Sequence, residues 1–214
     1  MEQTKEDFLI SMPDFERIFR TVHGMLLQEN SNPALACDFF SVVAASILNI
    51  HHGIECGAMA GFAAYKFDNT ADLTVFGAIE GGTLTSNIDG YHCWVQCKNW
   101  VLDFTLPLLP ETLAAHGTPK NVERRMFQKR LADMRDTVSE LRNSGDYLYG
   151  PNQALSKNLV RGFFSKPAYK DIMNICLKWY RPVPETMEEA IDVGDRHGKV
   201  TRRALSPLML SGAW

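Results

Sequence analysis

The chain has 214 residues, 45% of them hydrophobic and 22% charged, which is enough for one well-filled domain. Lys and Arg number 22 against 25 Asp and Glu, so the formal charge of −3 implies no general attraction to nucleic acid or to an anionic membrane. No apolar run approaches the length of a membrane span, and Met1 to Asp7 is acidic without an apolar segment, which speaks against a secretory signal. Five cysteines, an odd number at irregular spacing, do not read as a disulfide framework; a reducing, cytoplasmic setting with free thiols is the expectation.

Residues 12–28 carry Phe15, Ile18, Phe19, Val22, Met25 and Leu26 at helical spacing, with Ser11 placed to cap and Pro13 in the first turn. A polar break over 28–32 precedes a second helix, from about Pro33 to Ile50. It is apolar nearly all round, as a buried central helix is. If Asn32 capped that helix, Cys37 would fall in its second turn, beyond the reach of the helix dipole. The preferred reading makes Pro33 to Ala36 an irregular turn, with the helix proper starting near Cys37.

From Ile54 to Thr105 the pattern turns to strands: 58–67, 73–79, and a hairpin over 91–105 with Lys98-Asn99 at its turn. A two-residue loop pairs Cys97 with Trp100. His92 then lies diagonal to Asp103 on one face, within side-chain reach. A histidine held by an aspartate is the base half of a catalytic triad. Of the five cysteines, Cys37 is the candidate nucleophile, because a helix start stabilises both a thiolate and an oxyanion. Cys56 and Cys97 sit at a strand start and at the turn. Cys93, next to His92, is expected on the opposite face, and Cys176 in a helix core. Further on, residues 119–142 read as a charged amphipathic helix through Val122, Met126, Phe127, Leu131, Met134, Val138 and Leu141. Shorter helices are expected near 167–180 and 184–193.

Cys37-Asp38-Phe39-Phe40-Ser41, Gly53-Ile54, Ala60-Gly61-Phe62, His92-x-Trp94 and Trp100-x-x-Asp103 occur in an order that resembles the transglutaminase-like pattern. The cysteine-helix start is also similar to that of papain-like peptidases, in the same superfamily. A small uncharacterised bacterial family of that superfamily is the nearest resemblance. It spans about residues 28–107. It implies an α+β fold: a central Cys-bearing helix on a small antiparallel sheet, with an N-terminal helix (about 12–28) and a helical C-terminal part (about 119–200), all in a single domain over 1–214. It also implies a cysteine hydrolase or acyltransferase acting on an amide or peptide-type bond of a peptide, protein or small acyl substrate. Cys37, His92 and Asp103 would be catalytic, with no metal or organic cofactor. Gln28, Asn30 or Asn32 would offer an oxyanion amide, and Trp94 and Trp100 would wall the cleft. Leu35-Ala36 before the cysteine departs from the transglutaminase-like pattern, and the Arg-Gly-Gly start of arylamine acetyltransferases is missing. Two other classes remain: a silent domain that binds a partner, and a metal site drawn from His51, His52, His92, Cys93 and Cys97.

Overall fold

The computed structural model describes residues 8–214 apart from Asn69 and Ala71. The acidic stretch at Met1 to Asp7 lies outside the described residues. Helix α1 (Met12–Gln28) starts where Ser11 Oγ accepts from Asp14 N at 3.2 Å, with Pro13 in the first turn. Its expected apolar face is buried in full. A short 3-10 turn (Pro33–Leu35), capped by Asn32, precedes α2 (Cys37–His51), so the helix proper does begin at Cys37. Phe40, Val43, Ala44, Ile47 and Leu48 of α2 are fully buried, and α1, α5 (below) and the sheet pack around it.

The strands follow: β1 (Gly57–Tyr65), β2 (Thr74–Phe76), β3 (Ala78–Glu80), β4 (Thr83–Thr85), β5 (His92–Cys97) and β6 (Trp100–Asp103). Then come helix α3 (Leu109–Ala115), β7 (Arg125–Arg130), β8 (Tyr147–Pro151), α4 (Gln153–Ser165), α5 (Pro167–Trp179), β9 (Ala190–Gly194), β10 (Val200–Ala204) and β11 (Gly212–Ala213). A seven-stranded sheet runs β11-β7-β6-β5-β1-β2, with β8 also on β1. All its pairings are antiparallel except β11 with β7. Two hairpins, β3-β4 and β9-β10, stand apart from it. The protein is thus α+β. Among the described residues no helix is long and apolar enough to cross a membrane.

The hairpin register is the one expected: Cys97 opposes Trp100, and Lys98 takes the positive φ of 46° that the tight turn requires. Three expectations are corrected. The helix over 119–142 does not exist; β7 occupies its middle, followed by two 3-10 turns. The open edge of β6 needs partners, and pairing Asp103 with Phe127 supplies them. Buried Gln128 then bonds the backbone of Leu9 and Ile10, so tertiary pairing overrides the helical periodicity. The helix at 184–193 is replaced by extended chain and β9, which β10 holds. The C-terminal part is therefore not helical alone: it carries β7 to β11 beside α4 and α5. Helix α4 went unanticipated although Asn152 caps it, accepting from Leu155 N at 3.0 Å.

The cysteines need a further correction. Cys56 and Cys97 form a disulfide. Gly57 opposes Gln96, so Cys56 faces Cys97 directly across the ladder. Cys37, Cys93 and Cys176 alone are free thiols, so the expectation of five free thiols, and with it the ground for a reducing setting, falls.

Close packing of α1 on the chain after β10 gives a sharp test. A Cβ at Gly24 would stand 2.4 Å from the Ala204 carbonyl oxygen and 2.9 Å from Ser206 N, both backbone atoms. Gly24→Ala is expected to lose about 1–3 kcal/mol in urea unfolding, as overpacked sites do. An unchanged midpoint would mean that the two segments are not in contact.

Candidate active site

The site is built where the start of α2 meets the start of β5. Along β5, alternation sends His92 and Trp94 to the Tyr65 face, and Cys93, Val95 and Cys97 to the α2 face. Cys37, first residue of α2, stands at the strand's entry. Its partly buried sulfur hydrogen-bonds both Cys93 and His92. The expectation that Cys93 faces away from His92 holds for the strand. That Cys37 nonetheless reaches both was not legible in the sequence.

His92 is buried, and its Nε2 lies 2.6 Å from Asp103 Oδ2, leaving Nδ1 for Cys37. Its ring stacks on Phe76 at 4.8 Å between centroids. Asp103 has no solvent exposure. Oδ1 accepts from Thr105 N (3.0 Å), Thr105 Oγ1 (2.7 Å) and Leu106 N (3.2 Å). Oδ2 also receives the Tyr65 hydroxyl at 2.7 Å, with the Tyr149 hydroxyl 2.7 Å from that of Tyr65 and 3.2 Å from the carboxylate. Each phenol has one hydrogen, so with Tyr65 donating to Asp103, the Tyr149 hydrogen is left for the Tyr65 oxygen or for Oδ2. This network fixes both the carboxylate and the face of the imidazole it holds.

The charges follow from these contacts. The Cys37 thiol is lowered from 9.0 to about 6: the Cys93 hydrogen bond lowers it most, burial opposes, and the His92 hydrogen bond and charge lower it further. Cys93 is pushed well above the ordinary thiol value, first by serving as donor to Cys37 and then by burial. Burial alone would lower His92, but the Asp103 charge and hydrogen bond carry it up to about 10. Burial pushes Asp103 up, yet His92 and the donors around it hold it below the usual carboxylate value. These opposite shifts, Cys37 down and His92 up, both favour the thiolate–imidazolium form of the pair.

A cavity of about 780 Å³ opens over Cys37 and His92. Leu35, Phe76, Leu106, Leu109 and Leu113 give it apolar walls. At its rim Lys120 is neutralised by Asp72 at 2.6 Å.

Of the expected site residues, Cys37, His92 and Asp103 come together and the others do not. The Gln28 amide is tied to the backbone of Ala204 in both directions. Asn32 caps the 3-10 turn through Ala34 N. Asn30 sits in the turn after α1 with φ of 54°. Among the described residues, no Asn or Gln lines the cavity. Trp94 is 1% exposed, packed on Tyr149 inside the sheet, and Trp100 packs against the α2 core under Arg130. Neither tryptophan walls the cleft: Trp94 lies too deep in the sheet, and Trp100 sits beside the hairpin turn, at the other end of β5 from His92. The metal alternative also fails to assemble. Cys97 is in the disulfide, His51 bonds the Leu177 carbonyl, His52 bonds the Tyr180 hydroxyl, and His92 is held by Asp103. No local pattern marks Tyr65 and Tyr149, which arrive from β1 and β8. Thr105, two residues after Asp103, fits a local Asx-type turn and was readable.

The fold and site define an α+β protein with a buried Cys-His-Asp constellation at the mouth of one cavity. Residues 11–214 match the family described as "Protein of unknown function (DUF2026)", and the chain belongs to that family. A solved structure described as "The crystal structure of genomics APC5867" is similar over 100% of both chains, at 28% identity and a TM-score of 0.85. No curated protein is similar enough to match.

Proposed function

We propose that this protein is a thiol-dependent hydrolase or acyltransferase of the transglutaminase-like and papain-like superfamily, acting on an amide or related acyl bond. One observation carries the reading: Cys37 at a helix start is hydrogen-bonded to a histidine whose other nitrogen is held by a fully buried carboxylate. In this reading the Cys37 thiolate attacks the carbonyl carbon, and the His92 imidazolium protonates the leaving group. Asp103 holds the imidazole orientation and stabilises its charge. The thioester then passes to water or to an amine.

The oxyanion donors differ from those expected. Ala36 offers no side-chain cap, so the Cys37 N–H at the start of α2 is one donor. The Tyr91 hydroxyl takes the place of the missing amide. Tyr91 is half-buried on the cavity wall in the Cys37 cluster. Burial, then the charges of Cys37 and Asp38, push its phenol up, so it stays a protonated donor.

The apolar walls favour an uncharged acyl chain. Chromogenic esters from acetyl to octanoyl should acylate Cys37 faster with each methylene the cavity covers, by up to about 0.8 kcal/mol per group, and Leu109→Trp should erase the gain for the longer chains. Intact mass would follow the adduct, with Cys37→Ala as control. A flat chain-length series, or an adduct that survives Cys37→Ala, would sink the reading. A silent binding domain would leave this thiolate-imidazolium pair without a use.

A further inference from the structure

We propose that Cys37 and Cys93 form a redox modification site, with Cys93 the resolving thiol for an oxidised Cys37. Cys37 packs against the small cluster formed by Cys93, Ala60 and Leu155, and the two thiols act directly on each other's ionisation. A disulfide between them would bring the sulfurs to a bond length of about 2 Å. Exposure divides the roles. Cys37 opens on the cavity, where a small oxidant arrives, while Cys93 is 3% exposed and reachable only from Cys37. The third unpaired thiol, Cys176, is fully buried in the α2–α5 core and is not part of this cluster. Cys97, four residues along the same face of β5, is already bonded to Cys56.

The chemistry balances with a hydroperoxide as oxidant. The Cys37 thiolate attacks the terminal peroxide oxygen. The O–O bond breaks, an S–O bond forms, and the departing alkoxide takes the His92 proton to leave as an alcohol. Cys93 then attacks the Cys37 sulfur. The S–O bond breaks, and hydroxide leaves with the Cys93 proton as water. Two thiols are oxidised to one disulfide, and one hydroperoxide is reduced to alcohol and water. A small dithiol returns the pair to thiols by exchange. The disulfide would silence the nucleophile and shield it from irreversible oxidation.

The test needs no acyl substrate, so its outcome is separate from that of the acyl-transfer reading. The full chain is treated with several equivalents of hydrogen peroxide at neutral pH, enough for two successive oxidations of one thiol, then examined by intact mass and peptide mapping. Wild type should become lighter by two hydrogens, yield a Cys37–Cys93 cross-linked peptide, and revert with dithiothreitol while Cys56–Cys97 stays in place. Cys93→Ser and Cys93→Ala should instead gain one and then two oxygens on Cys37, the second irreversibly. Circular dichroism would confirm that each variant is folded, and agreement between the two guards against a packing effect of either. Equal accumulation of the two-oxygen product with and without Cys93, or a cross-link from Cys37 to Cys97 in place of Cys93, would overturn the proposal.

Discussion

Iodoacetamide at pH 6 is expected to alkylate Cys37 about 20-fold faster than an ordinary thiol. With its pKa at about 6 against 9.0, half of Cys37 is thiolate there. An ordinary thiol is ionised to roughly one part in a thousand, an advantage of about 500-fold, and the weaker nucleophilicity of a low-pKa thiolate takes back about 20- to 30-fold. The remaining thiols are slower still. Cys93 is pushed well above the usual range, and burial pushes Cys176 up to about 12. His92→Ala removes the cation and one hydrogen bond, and the preference should drop sharply. Turnover should rise as pH passes about 6, where Cys37 ionises, and fall as pH passes about 10, where His92 loses the proton needed by the leaving group. Both limbs belong to the coupled pair rather than to one residue. Equal alkylation of Cys37 and a denatured-state thiol would remove the basis for any nucleophilic role.

Asp103 is where a single substitution should do most damage. Asp103→Ala strips acceptors from His92, the Tyr65 hydroxyl, Thr105 and Leu106 N at once, in a position with no solvent. Removing one partner of a buried ion pair costs about 3–5 kcal/mol, and a loss of that order is expected in urea unfolding. Asp103→Asn separates structure from chemistry. The amide keeps the volume and one acceptor oxygen for Thr105, so most of the stability should survive. An amide turned toward His92 Nε2 donates, which fixes the wrong tautomer and cannot hold an imidazolium. In a comparable triad that exchange costs about 10⁴ in turnover. The Cys37 pKa should move back up, read as a shift of the alkylation profile to higher pH. An unchanged profile in a folded Asp103→Asn protein would show that the carboxylate does not support the pair.

The readable parts of this chain were those written in local pattern. The α1 face, the apolar α2 and the two-residue hairpin turn each follow from spacing and residue type over a dozen positions or so. The hairpin parity placed His92 and Asp103 on one face because side chains alternate along a strand. Failures cluster where local periodicity competes with an unfilled sheet edge. Residues 119–142 have a helical apolar pattern, yet the β6 edge captures 125–130 as a strand. Residues 190–194 pair with β10 in the same way. Within the site, the meeting of Cys37, His92 and Asp103 was legible. The amide donors and tryptophan walls taken from the resemblance were not realised, because Gln28 and Trp94 were already committed to other packing.

By itself the sequence determined which residues form the candidate site: one helix-starting cysteine, and a histidine and aspartate on one face of a hairpin. Only the tertiary structure decided their state. Tyr65 and Tyr149 come from two further strands to hold Asp103, Cys93 meets Cys37 across the start of β5, and Cys56 closes on Cys97. Strand order and helix docking are set by burial summed over the whole core, which no local pattern encodes. Ionisation is set by the few atoms that such packing brings within hydrogen-bond distance.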